Sequence, residues 1–300
     1  MSELFKGTGV AIITPFHDSG NIDFGSFEKI IEHIIGGGVN YIVALGTTGE
    51  SVTLSRDEKV AVFEFVVEIV NKRVPVIAGL GGNNTQEVIN TIKATSFDGI
   101  DAILSVCPYY NKPQQKGLYS HYKAIAGACP VPVILYNVPG RTSMNISAET
   151  TLKLAGDFNN IIGIKEASGN LLQCMEIIKD KPQDFLLISG DDALTLPLIA
   201  LGADGVISVV ANAFPLQFSD MVNLCLKGKF AKARTLHFDL LRFTNAIFMD
   251  GNPSGIKAAM EMIGLCKSNV RLPLVKVNKN VHSIIAEQVE ILLKNQVEIN

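Results

Sequence analysis

The segment Ile161-Ile162-Gly163-Ile164-Lys165-Glu166-Ala167-Ser168-Gly169 ends a short apolar run on a lysine and then turns to small residues. Its shortness, its isoleucines and its Gly/Ser boundary read as a buried strand that delivers an amine. A lysine one step past a buried strand commonly extends its head group to water, so the segment alone does not establish chemistry. If the side chain stays inside, desolvation disfavours the ammonium form and the amine becomes a nucleophile for a carbonyl carbon. Schiff-base formation then needs an acid/base group to move protons through the carbinolamine and onto or off the adjacent carbon. A tyrosine can do this. Tyr136 closes the apolar run before Lys165, and Tyr110 follows the run before that. Either alone could be an interior aromatic with a satisfied hydroxyl, but both at run ends favour function.

Two further sets fit the same chemistry. Thr47 and Thr48 lie between glycines in Gly46-Thr47-Thr48-Gly49-Glu50-Ser51, where hydroxyls and exposed backbone N–H groups can hold a small carboxylate. As a mere turn the same run would be ordinary. Arg141, on the Pro139-Gly140 turn of Tyr136-Asn137-Val138-Pro139-Gly140-Arg141-Thr142, could bind a second carboxylate through two parallel N–H bonds. A lone loop arginine can equally be just solvated.

The elements that must position these groups recur along the chain. Val/Ile/Leu-rich runs occupy Gly9 to Phe16, Tyr41 to Gly46, Val74 to Gly79, Ala102 to Cys107, Val131 to Asn137, Ile161 to Lys165, Phe185 to Gly190 and Gly205 to Val210. Their starts advance by between 20 and 33 residues, about one strand, one helix and two loops. Continuous rather than alternating apolar strands imply a parallel sheet covered on both faces. Between them, Phe27, Ile30, Ile31, Ile34 and Ile35 share a helix face before Gly36-Gly37-Gly38, and a second helix starts near Ser55 and carries Val60, Phe63, Val67 and Val70. Eight such repeats predict an α/β fold, a TIM (β/α)8 barrel over residues 1–224, whose active site sits at the C-terminal strand ends. A doubly wound sheet would place phosphate-binding glycines after the first strand, where this chain has Thr14-Pro15-Phe16. From Pro215 onward only helical patterns remain, among them Ala231 to Phe248 and Val281 to Leu293. Another is expected to be capped by Asn252, begin at Pro253 and stop near Gly264. Residues 225–300 are expected to form a C-terminal helical domain available for subunit contacts.

Composition narrows the partners. The 300 residues are 47% hydrophobic with a net charge of -3, and Lys and Arg are scattered, which gives no footprint for nucleic acid or an anionic membrane surface. No run of 18 apolar residues occurs and Met1 to Lys6 carries no signal-like pattern, so a cytoplasmic protein is expected. The five cysteines are widely spaced without a CxxC pair and read mostly as reduced core residues. There is no HExxH, GxSxG or Walker pattern, and Gly79-Leu80-Gly81-Gly82-Asn83-Asn84 fails the dinucleotide fingerprint at its last position. His121 and the Asp191-Asp192 pair read as structural rather than as a metal site, and the chemistry requires no metal or organic cofactor.

The Gly46–Ser51, Tyr136–Thr142 and Ile164-Lys165-Glu166-Ala167 motifs closely resemble the dihydrodipicolinate synthase family, one branch of the pyruvate-dependent class I aldolases, and the likeness runs nearly end to end. The lysine and tyrosine motifs belong to the whole superfamily, whereas the Gly140-Arg141-Thr142 continuation separates this branch from N-acetylneuraminate lyase and the sugar-acid aldolases. The resemblance implies a barrel with a C-terminal helical domain, assembled as a homotetramer, a dimer of dimers. It implies that Lys165 forms a Schiff base with pyruvate and that Tyr136 is the central acid/base, linked through Thr47 to Tyr110 from a neighbouring subunit. It also implies that Thr47 and Thr48 hold the pyruvate carboxylate, that Gly190 and Ile207 shape the pocket, and that Arg141 anchors aspartate 4-semialdehyde. The product would serve lysine and diaminopimelate synthesis. Lysine-inhibited relatives use residues matching Ser51, Asn83, Glu87 and Tyr109, all present here. Arg56 and Lys59 stand where sensitive members often carry histidines, and added positive charge weakens binding of a cationic effector. Weak lysine sensitivity is therefore expected. The competing readings are a sister aldolase cleaving a sialic or sugar acid, and a barrel that binds a keto acid without turnover.

Overall fold

The computed structural model describes residues 2–299. Eight parallel strands, β1 (Gly7–Ala11), β2 (Tyr41–Ala44), β3 (Val76–Gly79), β4 (Ala102–Val106), β5 (Val133–Asn137), β6 (Ile161–Glu166), β7 (Leu186–Ser189) and β8 (Gly205–Ser208), pair in sequence order, and β8 closes on β1. The continuous apolar runs are explained by two buried faces. Tyr41, Val43, Ile77, Leu104, Ile134 and Ile188 fill the barrel interior, while their neighbours Ile42, Ala44, Ala78, Ile103, Leu135 and Leu187 join the layer between strands and helices. Each buried aliphatic side chain contributes about 1.5–3 kcal/mol relative to exposure.

Several strands are shorter than their apolar runs, because side chains take over the backbone groups. Beyond Ala11 the Ile13 N–H goes to Asn212 Oδ1 at 3.1 Å, and Pro15 has no N–H to offer. Beyond Ser208 the N–H groups of Val209 and Val210 both donate to Asp192 Oδ2, at 2.9 and 3.2 Å.

The strands alternate with α1 (Phe24–Gly36), α2 (Arg56–Val70), α3 (Thr85–Ala94), α4 (Gln115–Ala128), the single turn α5 (Pro139–Thr142), α6 (Ala148–Asp157), α7 (Leu171–Asp180), α8 (Thr195–Leu201) and α9 (Pro215–Leu226). In α1, Phe27, Ile30, Ile31 and Ile34 are buried as the spacing predicts, with Ile35 half-buried. In α2 the expected face is corrected. Val62, Phe63, Val66 and Val70 are buried, while Val60 is exposed and Val67 half-buried. Asp57, Glu64 and Glu68 share a helix face with Val60, so that stripe is turned to solvent and carries Val60 with it.

After α9 come α10 (Phe230–Phe248), α11 (Ser254–Met262) and α12 (Lys279–Ile299), with α10 packed on both α9 and α12. Residue 225 lies in the last turn of α9. Gly264, in the left-handed region at φ +77°, ends the α11 segment where a stop was expected.

Candidate active site

Lys165 depends on an irregularity in β6. Val133 pairs with Ile161 but the next residue, Ile134, pairs with Gly163, so Ile162 is an extra residue. Strict alternation from the outward Ile161 would send residue 165 outward as well. The bulge resets the parity, and Ile164 faces the helices while Lys165 turns into the barrel opposite Tyr136. Gly163 permits this, because a Cβ there would lie 2.9 Å from both the Cβ and the carbonyl oxygen of Leu186.

Lys165 is 5% exposed, with Nζ 4.5 Å from the centre of the Tyr136 ring. Gly190, just past β7, comes close to the same side chain. A Cβ there would sit 3.1 Å from Lys165 Cε and 2.6 Å from Ala167 Cβ. On the outward side of the same two strands, Glu166 accepts hydrogen bonds from Asn137 Nδ2 at 3.0 Å, Gln173 Nε2 at 2.8 Å and the Ser168 N–H at 2.8 Å. This buried network clamps β5 to β6 behind the Tyr136–Lys165 pair. It was not anticipated, although the polar residues following both apolar runs were its signal.

The Gly46–Glu50 loop is held under strain. Leu45 and Glu50 have φ of +55° and +53°, a conformation that costs on the order of 1–3 kcal/mol for a side-chain-bearing residue and needs outside support. Support comes from Gly79, where a Cβ would lie 2.3 Å from the Leu45 carbonyl oxygen, and from the C-terminal segment. The Glu50 carboxylate pairs with Lys257 of α11, both side chains fully buried, and also accepts the Arg271 N–H at 3.0 Å. Lys257 in turn donates to the Asn269 carbonyl at 2.9 Å. Burial pushes the Lys257 amine below its ordinary value, and the Glu50 charge opposes that. A lysine inside the apolar run Ile256-Lys257-Ala258-Ala259-Met260 was the signal for this pair.

Thr48 is buried, and its Oγ1 accepts a 2.9 Å hydrogen bond from Asn252 Nδ2. The main-chain oxygen of the same Asn252 accepts from Arg141 Nη2 at 3.3 Å. Asn252 therefore does not cap α11 as the sequence suggests: α11 begins at Ser254, with Pro253 in the capping position and no side-chain cap. The amide that would have capped the helix is turned toward the Thr48 loop instead.

A cleft of about 530 Å3 opens at this end of the barrel, lined by Thr47, Tyr136 and Arg141 and, continuous with them, by Ser51, Asn83, Glu87 and Tyr109, with Lys59 at its side. The possible effector residues thus share one depression with three of the candidate site residues. Lys165, Thr48, Gly190 and Ile207 do not line it. Ile207 is a buried interior residue of β8, and Lys165 lies beneath the Tyr136 ring. Tyr110 stands apart from the cleft, 90% exposed and with φ +71°.

The Dihydrodipicolinate synthetase family model matches residues 4–292. The chain is 51% identical to the 4-hydroxy-tetrahydrodipicolinate synthase of Flavobacterium psychrophilum over 278 residues, covering 93% of this chain and 95% of that protein. It superposes on the solved structure of the 4-hydroxy-tetrahydrodipicolinate synthase from Methylacidiphilum fumariolicum with a TM-score of 0.95, at 39% identity and 98% coverage of both chains. A monomeric dihydrodipicolinate synthase variant gives a TM-score of 0.94 at 37% identity and 97% coverage of both.

Proposed function

From the premise that the chain belongs to the dihydrodipicolinate synthetase family, and is a lyase joining pyruvate to L-aspartate 4-semialdehyde in lysine biosynthesis, we propose how its own residues divide the work. Lys165 Nζ attacks the keto carbon of pyruvate, and loss of water through the carbinolamine gives a Schiff base. Tyr136, whose ring lies over that amine, carries the protons, first to the departing hydroxyl and then from the pyruvate methyl group as the enamine forms. Thr47 and Thr48 hold the pyruvate carboxylate, and Gly190 and Ile207 shape the pocket around the bound keto acid. Arg141 anchors the carboxylate of the semialdehyde, whose aldehyde carbon the enamine attacks. Cyclisation then releases the product and frees Lys165.

The observation that carries this reading is the inward turn of Lys165 beneath Tyr136. Tyr110 extends the proton path through Thr47 and is supplied by a neighbouring subunit of a homotetramer. Its high exposure and strained backbone support a role outside its own barrel. Among the described residues no helix is long and apolar enough to cross a membrane, and five unpaired cysteines suit a reducing cytoplasm.

The test is reduction with borohydride in the presence of pyruvate, followed by peptide mass spectrometry. The expected result is one pyruvate-derived adduct on Lys165. An adduct on another lysine, or none, overturns the assignment.

A further inference from the structure

The Asn252 side chain is buried and, among the described residues, makes a single hydrogen bond, from Nδ2 to Thr48 Oγ1, while its buried Oδ1 meets no partner there. An unpaired buried acceptor costs stability, so packing does not account for an amide at this position. The backbone there is firmly placed. Gly255 lies so close to the preceding helix that a Cβ would meet the Ile247 carbonyl oxygen at 2.0 Å, and Lys257, one turn on, is pinned by Glu50.

A threonine hydroxyl has one proton to give and two lone pairs to receive with, whereas a carboxylate only receives. Thr48 can therefore serve a carboxylate only if its proton is not spent elsewhere. We propose that Asn252 is a positioning residue: its amide N–H fills a lone pair of Thr48 Oγ1 and so reserves the Thr48 proton for pyruvate. Its main-chain oxygen meanwhile orients the Arg141 guanidinium toward the second substrate. One residue of the C-terminal segment thereby sets two anion-binding groups that lie far apart in the chain. The inference rests on the assignment of Thr48 and Arg141 to the two substrate carboxylates.

The experiment compares Asn252→Asp, Asn252→Ala and Thr48→Val by steady-state kinetics with each substrate varied separately, alongside thermal unfolding. Aspartate at 252 accepts the Thr48 proton and adds a negative charge, so KM for pyruvate should rise by on the order of tenfold beyond the rise in Asn252→Ala. In Asn252→Ala, which adds no charge, KM for the semialdehyde should stay within about twofold of wild type, because the main-chain contact to Arg141 survives side-chain replacement. An Asn252→Asp protein with wild-type pyruvate KM, while Thr48→Val is impaired, overturns the role of Asn252. Equal losses for both substrates that track lost thermal stability overturn it too. A Thr48→Val protein with unchanged pyruvate KM instead overturns the assignment of Thr48 on which the inference stands.

Discussion

Tyr136 and Lys165 are directly opposite in the register of β5 and β6, and the lysine nitrogen lies 4.5 Å from the centre of the tyrosine ring. The extra residue at Ile162 is what brings them to the same face. Tyr136→Phe keeps the ring over the amine and removes only the hydroxyl. It should lower kcat by roughly 10²–10⁴-fold, while borohydride trapping with pyruvate still marks Lys165. Unimpaired turnover in this variant would show that another group moves the protons.

Gly190→Ala places a methyl group 3.1 Å from Lys165 Cε and 2.6 Å from Ala167 Cβ. Ala167 follows the strand end directly, so relief must come partly from the lysine chain. Displacements near 1 Å at a reacting centre can cost on the order of 10²-fold. The trapping rate with pyruvate should fall accordingly, with far-ultraviolet circular dichroism unchanged. A wild-type trapping rate would show that the lysine chain has room to spare.

Lys257→Met leaves the Glu50 carboxylate buried without its cation, which should lower the unfolding free energy by about 3–5 kcal/mol in denaturant titrations. The double variant Lys257→Met/Glu50→Gln removes the buried charge and keeps an acceptor for the Arg271 N–H, so it should recover much of that loss. If the single variant is as stable as wild type, the pair does not hold the Gly46–Glu50 loop.

Asp192 supplies the pH dependence. Burial pushes its carboxyl up to about 6, against the two backbone donors Val209 and Val210 that favour the anion. The unfolded chain has its ordinary value near ~3.9. Between these pH values the folded state binds more protons, so stability present at low pH is lost as pH rises through about 6. Asp192→Asn cannot titrate, and its stability relative to wild type should grow by up to about 3 kcal/mol between roughly pH 4 and pH 7. A pH-independent difference would remove Asp192 as the source.

Lysine inhibition is expected to be weak. Lys59 lines the same cleft as Ser51, Asn83, Glu87 and Tyr109, and two unit positive charges ~4 Å apart repel by about 1 kcal/mol even in water. Lys59→Ala should tighten lysine binding a few-fold in calorimetric titration. Strong micromolar inhibition of the wild-type enzyme would contradict this.

The local chemistry of the chain was enough to fix several features. Unbroken apolar runs at steady spacing require a parallel sheet covered on both faces, and polar residues just past those runs mark the mouth of the barrel. Lys165, Tyr136, Thr47 and Arg141 stand out as candidates because each lies at or just past the end of an apolar run. The facing of Lys165 could not be read this way, since a one-residue bulge reverses every side chain beyond it and depends on pairing with β5. The partners of Asn252, Glu50 and Lys257 were hidden for a related reason. Asn252 obeys a local capping rule on paper, yet its amide goes to a threonine 204 positions away. Buried hydrogen bonds and ion pairs are formed with whatever the folded chain brings within about 3 Å, and no spacing along the sequence encodes that distance.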